Sequence, residues 1–144
     1  MYCWPVSGLG EIPWELLRLT ARTATTKSYA PYSRVTVGAA GYTSDGRVVV
    51  GSNVENASYG LTLCAECSLV SDLAREGGGR LAAVAVVAGD GAPLAPCGRC
   101  RQLLYEHGGA DLLIDDGADR PAHRLGELLP EAFGPNDLGT RSNS

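Results

Sequence analysis

Two cysteine pairs, Cys64-x-x-Cys67 and Cys97-x-x-Cys100, constrain this chain more than any other feature, because thiols spaced in this way act together. Four of the five cysteines in 144 residues fall in these pairs, and in a reducing compartment that usage favours metal ligation or redox chemistry over structural bridges. A chain of this length buries about 68–70% of the surface its unfolded form exposes, so disulfides are not needed to hold it together. Cys3 is left over. A carboxylate, Glu66, sits inside the first pair, and Pro96 precedes the second.

The surrounding pattern predicts the frame. Pro13 suits a helix start, and Trp14, Leu17, Ala21 and Ala24 recur at helical spacing until Pro31 forbids continuation. Residues 35–42 alternate as a strand, Asp45-Gly46 is a hairpin signal, and residues 47–51 form the return strand. Gly38 and Gly41 mark a bulge or a close backbone approach. Residues 64–76 read as a helix with Cys64, Cys67, Val70 and Leu73 along one side, stopped by Gly77-Gly78-Gly79. Residues 81–88 are an almost unbroken apolar run, which suits a central strand covered on both faces. A helix over 98–107, a strand over 111–115 and a short helix over 125–129 follow. Strand, helix and strand of these lengths imply a parallel pair. The fold class is therefore α/β, a three-layer α/β/α domain with a central mixed sheet of about five strands. Residues 13–138 form the domain, 1–12 an irregular extension and 139–144 a frayed tail.

Cys64 falls at the start of one helix, and Cys97 and Cys100 at the start of the other, where unpaired N–H groups and the helix dipole favour thiolate. Three thiolates there could hold Zn²⁺ with a fourth position open to water, and Glu66, two residues from Cys64 and within the same helical turn, could move that water's proton. The same spacing also spells a closed Cys₄ zinc site, with Cys67 one turn from Cys64, and a lone C-x-x-C suits a thioredoxin-like redox pair. On spacing alone the closed and open sites stand level. The 29 residues between the pairs exceed an ordinary ribbon loop, which weighs somewhat against the closed site.

With these motifs in order, residues 16–138 closely resemble the cytidine deaminases, in particular the small homotetrameric three-cysteine kind. The resemblance implies Cys64, Cys97 and Cys100 as zinc ligands and Glu66 as the proton shuttle for attack of water at C4 of cytosine. It implies that Asn53 and Glu55 bind the ribose hydroxyls, that Ala65 contacts the substrate, and that Phe133 packs over the base, often in a neighbour's site. Without it, Asn53 and Glu55 read as polar residues capping a turn at a strand end, and Phe133 as a hydrophobic anchor. Free cytidine and deoxycytidine in pyrimidine salvage are the implied substrates, since an Asn-x-Glu-Asn segment disfavours nucleobases and a phosphorylated sugar.

Two positions depart from the family pattern. Cys67 stands where the family usually has an Arg that offsets thiolate charge, so Cys67 is read as lying behind the ligands, with Arg101 and the helix N-termini as sources of compensation. Val35 replaces a Phe that contacts the pyrimidine in many relatives, which leaves room for a modified pyrimidine nucleoside. Tyr59 and Gln102 match supporting positions, and His107 reads as a helix C-terminal cation.

A formal charge of −4 with no basic run disfavours a polynucleotide partner. No segment has the length of a membrane span or the makeup of a secretory leader, so the expectation is a cytoplasmic protein that binds a small nucleoside, not nucleic acid or membrane. A homotetramer with sites at subunit interfaces is what the resemblance adds.

Overall fold

A computed structural model describes residues 10–139, so the expectations for 1–9 and 140–144 lie outside the described residues. Five strands form one mixed sheet in the order β2-β1-β3-β4-β5: β1 (Val37–Thr43), β2 (Val48–Ser52), β3 (Leu81–Ala88), β4 (Leu113–Ile114) and β5 (His123–Arg124). The β1–β2 hairpin turns at Gly46, whose φ of 88° belongs to the left-handed region that glycine enters freely. The β3–β4 pair is parallel and every other pairing antiparallel. Helix α1 (Trp14–Ala24) covers one face, where Leu17 and Ala21 pack on Ala40, Ala83, Ala85 and Val87. Helices α2 (Ala65–Arg75) and α3 (Gly98–Gly108) cover the other, with Leu69, Leu73 and Leu104 on Val84, Val86 and Ile114. The expected three-layer α/β/α arrangement is what forms. Two short helices, α4 (Leu125–Leu128) and α5 (Pro135–Gly139), close the chain.

Small residues let the layers approach. A methyl group on Gly38 would meet the Ala21 carbonyl oxygen at 1.8 Å, and one on Gly51 would meet the Ala65 oxygen at 2.2 Å. Gly38 therefore marks a close approach of α1 and not a bulge; the register break in β1 falls between Tyr42 and Thr43. At their far ends both remaining long helices are tied down by arginine. Arg47 donates to the carbonyls of Glu76 (2.9 Å) and Gly78 (2.6 Å) beyond α2, and Arg80 to that of Gly108 (2.7 Å) in α3.

Strand β1 begins at Val37 and not at Val35, because Arg34 adopts φ 61° and the next backbone groups are met by a side chain. Asn53 Oδ1 accepts from the Val37 N–H at 2.8 Å, and Asn53 Nδ2 donates to the Val35 carbonyl at 2.9 Å. The expected strand over 111–115 shrinks to Leu113–Ile114, with β5 paired beside it.

An ion pair with a buried carboxylate and a partly exposed guanidinium ties α1 to the end of β4. Asp115, 4% exposed, accepts from Arg18 Nε at 2.9 Å and Nη2 at 2.7 Å. Arg18→Ala strands that carboxylate and should cost about 3 kcal/mol. The melting temperature should then fall by roughly 6–12 °C, whereas Arg18→Met combined with Asp115→Leu should melt close to the parent. A melting point for the single variant within 2 °C of the parent would refute the assignment.

Candidate active site

The start of α2 and the start of α3 meet over the sheet. Cys64 is the residue preceding α2 (φ −65°, ψ 159°) and Cys97 the residue preceding α3 (φ −65°, ψ 167°), two nearly identical extended conformations that aim both side chains past free helix N–H groups. Cys100 lies in the first turn of α3. The Sγ atoms of Cys64, Cys97 and Cys100 all lie within 4.8 Å of one another, and Cys64 and Cys97 are 3.9 Å apart. Thiolates held tetrahedrally about 2.3 Å from zinc sit about 3.8 Å from each other, so the set fits Zn²⁺.

Without a cation beside them, two of the three thiols resist ionisation. Burial pushes the Cys100 thiol far above its ordinary value, and the charges of Glu66 and Cys64 add to the shift. Burial also raises Cys64. Burial acts upward on Cys97 too, but the Cys100 backbone N–H and the neighbouring thiols outweigh it and bring Cys97 below the usual thiol range. A thiol as resistant to ionisation as Cys100 becomes a ligand when a cation lies beside it.

Glu66 is 3% exposed, and burial raises its pKa, an effect opposed by its own backbone N–H, the Cys100 thiol and the charge of Arg99. A buried carboxyl tuned upward next to a metal pocket suits proton transfer. The buried face of α2 consists of Ala65, Glu66, Leu69 and Leu73, so the stripe expected through Cys67 and Val70 is rotated toward Glu66.

Cys67 is not among the three converging thiols. Its Sγ accepts from Arg99 Nη2 at 3.1 Å. Arg101 donates to the Pro96 carbonyl (2.9 Å) and to the Leu128 carbonyl (2.9 Å), which pins the turn before Cys97 to α4. Glu55 accepts from the backbone N–H groups of Tyr32 (3.1 Å) and Ser33 (3.2 Å); these bonds and the Ser33 hydroxyl outweigh its desolvation and lower its pKa. Tyr32 and Tyr59 form an edge-to-face pair with ring centroids 6.0 Å apart. Phe133 is 53% exposed, and its carbonyl accepts from Gln102 at 2.8 Å. Val35 is also 53% exposed, and its carbonyl accepts from the buried Asn53 at 2.9 Å. Arg99 escaped the reading of the sequence, although its place between Cys97 and Cys100 was the available signal.

A metal pocket that encloses its own proton-transfer group, mounted on an α/β/α frame, is how a zinc-dependent hydrolase is built. Comparison with known proteins narrows this class. Residues 15–114 match the family described as the cytidine and deoxycytidylate deaminase zinc-binding region. A cytidine deaminase of Mycobacterium tuberculosis is 59% identical over 128 residues, covering 89% of this chain and 95% of the relative. A crystal structure of cytidine deaminase from the same organism superposes with a TM-score of 0.82 at 60% identity, covering 86% of this chain and 99% of that one. The enzyme from Mycobacterium leprae superposes with a TM-score of 0.80 at 54% identity, over 84% and 100%. The chain belongs to the cytidine and deoxycytidylate deaminase family.

Proposed function

We propose that this protein deaminates free cytidine and deoxycytidine hydrolytically, with zinc held by Cys64, Cys97 and Cys100 and protons carried by Glu66. The observation that carries the reading is the convergence of the three Sγ atoms within 4.8 Å beside a carboxyl whose pKa is raised by burial. Zinc held by these three thiolates would supply a bound water of lowered pKa, toward about 7. Glu66 takes a proton from the attacking water and delivers protons to N3 and then to the amine leaving C4. Cytidine plus water thus gives uridine plus ammonia.

The remaining roles are proposed from the family likeness, and the following contacts support them. Ala65 opens α2 with an N–H that has no acceptor within the helix, and it is this donor that we assign to the pyrimidine carbonyl, although Ala65 is 0% exposed before substrate binds. Glu55 keeps lone pairs for ribose hydroxyls while it orders the turn through Tyr32 and Ser33. Asn53, with both ends of its amide on residues 35 and 37, holds the wall of the sugar site and offers its second oxygen lone pair. Phe133, Tyr29, Tyr59, Leu61 and Leu63 are each more than 45% exposed, an apolar surface that suits association of copies into a homotetramer with Phe133 completing a neighbour's base site. The role we assign to this activity is cytoplasmic pyrimidine salvage. No helix among the described residues is long and apolar enough to cross a membrane.

Purified protein mixed with cytidine should show the ultraviolet change to uridine and contain about one zinc per chain. Cys97→Ser should lose zinc to a chelator that the parent withstands, and Cys67→Ser should keep it, since Cys67 bonds to Arg99. Equal zinc loss in both variants, without turnover in the parent, would overturn the reading in favour of a closed four-cysteine site.

A further inference from the structure

Three thiolates on Zn²⁺ leave a net charge of −1, and Glu66 adds another carboxylate to the same pocket. Excess negative charge weakens the metal's pull on a bound water, so a nearby cation matters to the chemistry. The guanidinium of Arg101 is committed to two carbonyls, those of Pro96 and Leu128, on the opposite side of α3. Arg99 reaches the other way. From the first turn of α3 it crosses to the segment entering α2, where Nη2 lies 3.1 Å from Cys67 Sγ and 3.4 Å from the Thr62 carbonyl oxygen. These partners flank Cys64 on both sides in the chain.

We propose that Arg99 is the charge-balancing residue of this site, a positioning residue anchored by Cys67 and Thr62 that lends a fixed positive charge to the three-thiolate centre. The inference rests on the zinc reading given above. The charge of Arg99 stands beside the pocket: its guanidinium, carried between Cys97 and Cys100 on α3, lies 3.1 Å from the sulfur of Cys67 in the first turn of α2, the helix that Cys64 precedes. Cys67 thereby has a function that neither ligation nor packing describes. It holds the cation in place.

The test is competition for zinc between a chelator and the holoprotein, read as metal transferred and not as turnover. Arg99→Gln should bind zinc about tenfold more weakly than the parent, the lower end of what such supporting contacts contribute, because Arg99 is exposed and partly screened. Arg99→Lys, which keeps the charge and loses the planar fork, should recover most of that affinity. Unchanged affinity in Arg99→Gln, with the parent holding stoichiometric zinc, would overturn the role of Arg99 and leave the zinc reading intact. So would a Lys variant as weak as the Gln variant, since charge would then not be what Arg99 contributes. A parent that holds no zinc would overturn both.

Discussion

Glu66→Gln is expected to lower kcat for cytidine by about 10³-fold while zinc per chain stays at the parent value. A positioned acid–base group contributes roughly 10²–10⁴-fold, and Glu66 serves twice in each turnover, so the loss falls in the middle of that range or above it. At 1.36 kcal/mol per tenfold, this amounts to about 4 kcal/mol of transition-state stabilisation. Gln is close to an ideal probe at this position. It has the same shape, it retains an oxygen that can accept from the Cys100 thiol, and it carries no charge to desolvate in a site where the carboxylate is 3% exposed. The variant should therefore fold at least as stably as the parent and keep its three thiol ligands. Turnover within tenfold of the parent, at full zinc occupancy, would remove Glu66 from the mechanism.

The legibility of this chain varies with how far each feature depends on the rest of the molecule. Strand β3 has the boundaries read from the sequence, 81–88, because a continuous apolar run needs cover on both faces and only a central strand has it. Helix α2 was legible in extent but not in rotation. Hydrophobicity points the stripe through Cys67 and Val70, whereas the protein buries Glu66 on the Ala65 and Leu69 side, and no hydropathy argument buries an isolated carboxylate. Strand β4 lies inside the 111–115 run read as a strand but spans two residues, held beside β3 by its pairing and by the Asp115 N–H on the Val84 carbonyl, while β5, also two residues, is too short to carry a period and forms by pairing with β4.

The thiols show the same division. Their spacing left an open and a closed zinc site level, and it is the rotation of α2 and α3 that brings Cys64, Cys97 and Cys100 together and turns Cys67 toward Arg99. Arg99 and Arg101 are two residues apart on one helix and so point about 200° apart, which means that one faces the thiols and the other faces away. Sequence places both beside the ligands and cannot say which is which. Asn53 likewise looks like a turn cap, and its part in opening β1 depends on Val35 and Val37 arriving from 18 and 16 residues away.

Two glycines separate the stability of the frame from the aim of the site. Gly38→Ala and Gly51→Ala each add one methyl group to a strand, and in both cases it lands on the backbone of a helix, which cannot give way as a side chain can. At Gly38 the obstacle is α1, with the Ala21 oxygen at 1.8 Å; at Gly51 it is the first turn of α2, with the Ala65 oxygen at 2.2 Å and the Leu69 nitrogen at 2.4 Å. Overpacking of this kind costs about 1–3 kcal/mol, so both variants should melt roughly 3–10 °C below the parent. Their catalytic consequences should diverge. Helix α1 carries none of the residues assigned to the zinc pocket, so the folded fraction of Gly38→Ala should retain its specific activity within a few-fold. Helix α2 carries Glu66 and follows directly on Cys64, so pushing it off β2 moves the shuttle and one ligand relative to the pair on α3. A displacement of about 1 Å is enough to lower specific activity by about 10²-fold. Activity and zinc content measured per folded molecule decide between the outcomes. Equal loss of specific activity in the two variants would mean that the sheet transmits strain to the whole molecule, and that Gly51 has no particular part in aiming the pocket.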